Sequence, residues 1–267
     1  MKRWIAATCA MAGAVAAAPL EDVGRSLAAR YADAVVPVMA VLKIEIPGEE
    51  SRSQEQTVET YGTVVATNGL TVLSALSLNP LAGVSAMEMN IGGRASSVTP
   101  RSSVSQIRVR MHDGAEVPMR QVLRDEDLDL AFLAPDPAGG RPAPAFPTTV
   151  PFDRPASAKA MDEVLGLGRA GKLFNWAPAV GVSRIIARVE KPRIVYLFSA
   201  GFVGGVGTPV FTADGVPLGV VAMRRQPGGG RGTLMQQAAV IVPAEDVADL
   251  IRQAIAAAAK ARSEPSS

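Results

Sequence analysis

The run Gly204-Gly205-Val206-Gly207-Thr208-Pro209 constrains this chain more tightly than any other six residues in it. Its glycines open backbone angles that side-chain-bearing residues resist, and Pro209 ends the turn. An apolar segment, Val210-Phe211, follows, then the hairpin turn Asp214-Gly215 and a second apolar segment, Leu218-Gly219-Val220-Val221. The same grammar recurs upstream. Gly62-Thr63-Val64-Val65 leads through Asn68-Gly69 into the apolar stretch 70–75, and 107–110 leads through Asp113-Gly114 into 117–122. Short apolar runs joined by Asn-Gly and Asp-Gly turns predict antiparallel hairpins.

Three of these segments, in this order, resemble trypsin-like serine proteases, most closely the bacterial HtrA or Deg branch. The glycine turn resembles the family's G-N-S-G-G-P, with Val206 at the nucleophile position and Thr208 at the last glycine. The stretch 62–77 resembles G-x-G-x-V-I followed by G-x-I-L-T-A-x-H. Aligning Val72-Leu73-Ser74-Ala75-Leu76-Ser77 with its ending places Ser77 where the general-base histidine belongs. Asp127-Leu128-Asp129-Leu130-Ala131-Phe132-Leu133 resembles D-x-D-L-A-V-L, which makes Asp129 the orienting carboxylate of the triad. The resemblance covers about 35–257 and implies an all-β fold: two six-stranded antiparallel β-barrels with a C-terminal α-helix.

The departures from the family pattern are chemical. Valine has neither a proton to surrender nor a lone pair with which to attack a carbonyl, and serine does not accept a proton near neutral pH. His112, the single histidine, falls beside Asp113-Gly114 and reads as an exposed hairpin-tip residue. The expectation is therefore a pseudoprotease that binds a peptide or protein without cutting it. Strand addition along Val220, Val221, Ala222 and Met223, where active relatives pair with substrate, is the expected mode. Arg224 follows at the mouth of the specificity pocket, where it either closes the cleft or recruits an acidic group. The oxyanion-hole donors fall to the N–H groups of Gly204 and Val206. They survive if the turn keeps its shape and are lost if Gly205 and Thr208 let it relax. Two alternatives stand beside this reading: an endopeptidase with an unorthodox site that uses Ser77 as nucleophile, and a structural subunit partnering an active protease.

Composition adds exclusions. Lys plus Arg number 27 and Asp plus Glu 25, for a net charge of +2. No basic stripe with interleaved aromatics appears, so nucleic acid is not an expected partner. With one histidine and one cysteine, no metal, cofactor or disulfide is expected. Lys2-Arg3, the apolar stretch 4–15 and Val15-Ala16-Ala17 read as a signal peptide containing Cys9, which implies export to the periplasm or beyond. Membrane insertion is not expected once the signal is removed; the competing reading is an uncleaved anchor.

The expected organisation is signal 1–17, a first barrel with its leading segment over 18–134, and a Pro-rich linker over 135–160. The second barrel and final helix follow over 161–262, then a tail over 263–267, with no PDZ module beyond. Leu20, Val23, Leu27 and Tyr31 fall at helical spacing, and 35–46 reads as the first strand. The segment 47–56 reads as a polar loop. The stretch 79–105 reads as a long insertion, either a surface loop or a partner-binding element, with Met87, Met89 and Met111 clustered around it. Six strands are expected at 163–167, 178–187, 194–199, 209–212, 216–223 and 233–242. A helix then starts at Pro243, with Glu245-Asp246 in its first turn.

Overall fold

Strand β1 (Val35–Ile46) shows why this chain closes into barrels. Its first residues are almost all buried and its far end is polar. It pairs along its whole length with β2 (Arg52–Val64) and, from Val38 to Glu45, with β6 (Arg101–Arg110). A strand so enclosed at its apolar end has to lie in a sheet that wraps back on itself. The computed structural model describes residues 18–46, 52–81, 87–91, 94–99, 101–136, 144–154, 156–199, 204–225 and 237–263.

With β3 (Thr71–Ser74), β7 (Glu116–Asp125) and β8 (Leu130–Pro135), the first sheet closes in the order β1-β2-β3-β8-β7-β6. The second sheet uses β9 (Glu163–Arg169), β10 (Pro178–Val189), β11 (Val195–Phe198), β12 (Pro209–Thr212), β13 (Pro217–Arg225) and β14 (Gln237–Pro243). It closes in the order β10-β11-β14-β13-β12-β9, and every pair in both barrels is antiparallel. Closure removes much of the sheet edge that all-β architectures must protect from edge-to-edge association, although β2 pairs only with β1 from Arg52 to Gly62. Helix α1 (Leu20–Tyr31) leads in and α3 (Ala244–Ser263) ends the described chain.

Two expectations change. Residues 52–56 are not loop: they extend β2, with Gln54 opposite Ile44 and Arg52 opposite Ile46. They are polar because residues 53–57 are exposed on both faces, so backbone pairing alone holds them. The insertion at 79–105 contains a two-stranded hairpin, β4 (Met87–Ile91) with β5 (Arg94–Val98), and β6 already begins at Arg101. Residues 47–51, 82–86, 92–93, 100, 137–143, 155, 200–203 and 226–236 lie outside the described residues, as do the expected signal at 1–17 and the tail from 264. In the Pro-rich stretch, Phe146, Val150 and Phe152 are buried, and Val150 donates its N–H to Val64 O at 3.0 Å. That part of the chain is packed on the first barrel.

One apolar core spans both barrels, with Leu27, Tyr31, Phe132, Phe211 and Val242 in the same cluster, and a second cluster around Tyr196, Val210, Leu218 and Ile241 lies within the second barrel. Tyr31 stacks on Phe211 with ring centroids 5.6 Å apart. Arg169 bolts the barrels together. Its side chain is 9% exposed and donates to Val35 O, Ala32 O and Trp176 O at 2.5, 2.7 and 3.0 Å. A buried guanidinium is tolerated where its donors are satisfied, as they are here.

Candidate functional site

The site forms where the loop ends of the two barrels meet. Strand β3 runs into α2 (Ala75–Leu78), a single turn that Ser74 caps by accepting from Ser77 N at 3.2 Å. Ser77 is half-buried. Its Oγ donates to Ser74 O at 2.8 Å and accepts from Thr60 Oγ1 at 2.9 Å. The hydroxyl proton is thus spent on a backbone carbonyl, and the oxygen's bonded neighbour is another hydroxyl. Among the described residues, no imidazole, amine or carboxylate is hydrogen-bonded to it.

Asp129 sits opposite, 9% exposed and in the left-handed region at φ 55. That backbone angle, unusual outside glycine, turns its carbonyl to accept Ala75 N at 3.0 Å. Its carboxylate takes Leu76 N on Oδ1 at 2.7 Å and Met223 N on Oδ2 at 2.8 Å, and Ser74 Oγ also donates to Oδ2. Burial pushes the carboxyl above its ordinary value. The hydrogen bonds from Ser74, Met223 and Leu76 and the charge of Arg124 pull the other way. Every close partner of this carboxylate is a backbone amide or a hydroxyl, so it joins β3 and α2 of the first barrel to β13 of the second. Ser74 was not singled out from sequence, and the Met223 backbone, expected to pair with a peptide, instead donates its N–H to this carboxylate.

The glycine turn is held from all sides. Thr208 donates to Gly205 O twice, from its amide at 3.3 Å and its hydroxyl at 2.7 Å. Gly207 N donates to Val221 O at 2.7 Å, Val221 N to Thr208 O at 3.0 Å, and Thr63 Oγ1 to Gly207 O at 2.8 Å. Gly207 adopts φ +91, and a Cβ there would stand 2.0 Å from Tyr61 O. The Tyr61 ring covers Gly205, where an added Cβ would lie 2.6 Å from Tyr61 Cδ2. Thr208 therefore tightens this turn. Val206 and Gly204 are half-buried, and their N–H groups have no hydrogen-bond acceptor among the described residues.

The strand that follows offers less edge than its sequence suggests. Val220 is paired on both sides, with Val242 of β14 and Pro209 of β12. Val221 is occupied by the glycine turn. Pairing with β14 runs from Gly219 to Arg225 without a bulge, so backbone direction alternates strictly. Ala222 and Arg224 face β14, whereas Met223 and Arg225 face the side where Val221 meets the turn. The Met223 N–H is taken by Asp129, which leaves the Met223 carbonyl and the backbone of Arg225 as the unpaired margin among the described residues. Arg224 Nη1 donates to Asp127 O at 3.0 Å, across the mouth of the cleft. His112 is exposed at the turn between β6 and β7.

No protein-family model matches this sequence, and no curated protein matches it. Among solved structures, the chain is similar to an HtrA-type protease, AlgW, solved with a decapeptide. The match has TM-score 0.54 and 16% identity, and covers 89% of this chain and 67% of that one. With two closed six-stranded antiparallel barrels and a C-terminal helix, the chain has a trypsin-like fold.

Proposed function

We propose that this chain is an exported, non-catalytic member of the trypsin-like fold that binds an extended peptide or protein segment in its cleft. The observation that carries the reading is the state of Ser77 and Asp129. The residue at the base position gives its proton to Ser74 O, and the carboxylate at the orienting position is filled by Leu76, Met223 and Ser74. Val206 has no nucleophilic atom. Losing such a set as a unit lowers turnover by about a millionfold.

Binding is supported by what remains free. The N–H groups of Gly204 and Val206 have no acceptor among the described residues, and the Met223 carbonyl and Arg225 backbone form a short margin on β13 that is unpaired among them. A peptide that adds as a strand along this margin can aim a carbonyl at those amides. Export rests on the basic, apolar and small-residue order of 1–17.

The test uses a fluorescently labelled, randomised decapeptide pool and fluorescence anisotropy. Arg225→Pro removes an outward N–H while sparing the ladder to β14, and it is expected to abolish binding that the parent protein shows. Absence of binding to the parent, or equal binding by both, contradicts the reading.

A further inference from the structure

Strands β9 and β10 of the second barrel are joined by residues 170–177, which reach across to the first barrel. The turn is tied by its own backbone. Phe174 N donates to Gly171 O at 2.8 Å, Asn175 N to Lys172 O at 3.0 Å and Ala177 N to Phe174 O at 3.1 Å. Asn175 and Trp176 then both adopt φ 51, a left-handed backbone that a large aromatic residue resists. Three contacts hold Trp176 there. Its indole N–H donates to Glu59 Oε1 of β2 at 2.8 Å, the Arg110 guanidinium of β6 lies over its ring at 4.6 Å, and Arg169 Nη1 donates to its carbonyl at 3.0 Å.

What this brace holds out into water is Leu173, 89% exposed, and Phe174, 64% exposed. Two neighbouring large apolar side chains on a backbone pinned by the opposite barrel are kept from folding back onto the core, and adjoining apolar surface of this kind marks an interaction site. Tyr61 sets where that surface lies. A Cβ on Gly171 would stand 4.0 Å from Tyr61 Oη, and a Cβ on Gly205 would stand 2.6 Å from Cδ2 of the same ring. One aromatic ring therefore separates this turn from the glycine turn, a gap of about 10 Å that about three extended residues cross.

We propose that Leu173 and Phe174 form an apolar subsite at the end of the cleft, and that the segment bound there is an extended peptide carrying a large apolar side chain such as leucine or phenylalanine. The proposal rests on the peptide-binding reading of the cleft and names the class of its ligand. A strand that aims a carbonyl at the Gly204 and Val206 amides passes the face of Tyr61 and reaches Leu173 and Phe174 within a few residues, so both surfaces serve one ligand. A phosphate-bearing lipid surface fits less well. Lys172 is the only charged residue between 170 and 177, the exposed Glu59 that holds Trp176 is anionic, and Arg110 is committed to the Trp176 ring, whereas a membrane-inserting tip pairs its apolar residues with several cations.

The test titrates the full chain with two fluorescein-labelled decapeptide pools and reads anisotropy. One pool draws every position from Gly, Ser, Thr, Asn and Gln; the other adds Leu and Phe. The parent should bind the apolar pool about tenfold or more tightly than the polar one. The double variant Leu173→Ser/Phe174→Ser should lose that preference, bind the polar pool as the parent does and melt with the parent, since neither side chain is buried. Equal binding of both pools by the parent, with Arg225→Pro abolishing both, would overturn the subsite and leave the cleft reading standing. Binding of neither pool would overturn both. Apolar-pool binding that survives Arg225→Pro and is lost in the double serine variant would make the turn a separate site and overturn its continuity with the cleft. Sedimentation of the parent, and not of the double variant, with phosphatidylcholine–phosphatidylglycerol vesicles would assign the turn to a bilayer and overturn the proposal.

Discussion

Met223, on the second barrel, donates its backbone N–H across the interface to the carboxylate of Asp129, on the first, at 2.8 Å. The acid expected from sequence at a triad's orienting position thus serves as an inter-barrel clasp. Its value to the protein lies in how the two halves dock.

That role fixes how Asp129 responds to pH. Burial lifts its carboxyl above the ordinary 3.8, so between 3.8 and the raised native value the folded state holds more protons than the unfolded chain. Stability therefore falls as pH rises through that window and is level above it. Asp246, also raised, mainly by burial, contributes part of the same slope. Asp129→Asn should show a shallower slope in urea titrations from pH 4 to 7. It should also lose about 1–3 kcal/mol at neutral pH, because an amide NH2 replaces one acceptor and meets a backbone N–H. An unchanged slope contradicts a carboxyl raised by burial, and unchanged stability at neutral pH contradicts the clasp.

Gly207 admits no side chain. A Cβ would fall 2.0 Å from Tyr61 O on a backbone at φ +91, combining overlap with left-handed strain. Gly207→Ala should lower unfolding free energy by about 3 kcal/mol or more in chemical denaturation, whereas an alanine at exposed Asp113, in the turn between β6 and β7, should change it by less than about 1 kcal/mol.

Arg169 closes the other end of the interface. Arg169→Met keeps the buried stem but strips the donors from Val35 O, Ala32 O and Trp176 O. We expect a loss of about 3 kcal/mol in thermal or urea unfolding. Loss below about 1 kcal/mol would mean that those carbonyls find water instead.

The parts of the fold legible in the sequence are those fixed by local chemistry. Gly69, Gly114 and Gly215 each follow Asn or Asp, and each adopts positive φ, at 85, 87 and 77; these turns set the hairpins and so the barrels. The polar end of β2 was not legible because a strand exposed on both faces has no apolar alternation to reveal it. The hairpin at 87–98 was hidden inside a stretch that reads as loop. At the site, the identities at 77, 129 and 206 are plain in the sequence, but the partners are not. That Ser77 donates to Ser74 O and that Thr208 braces Gly205 O depend on the local rotamers and turn geometry, and that Val221 is already engaged follows from packing between segments separated in sequence.

The central claim, that the cleft lacks both a base and a nucleophile, is tested most directly by rebuilding them. The parent, Ser77→His, Val206→Ser and the double variant Ser77→His/Val206→Ser are each incubated with a fluorogenic casein substrate and a fluorophosphonate probe. We expect no cleavage and no labelling for the parent or either single variant, with labelling at residue 206 confined to the double variant. Cleavage by the parent, lost in Ser77→Ala, or probe attached to Ser77 itself, would contradict the claim.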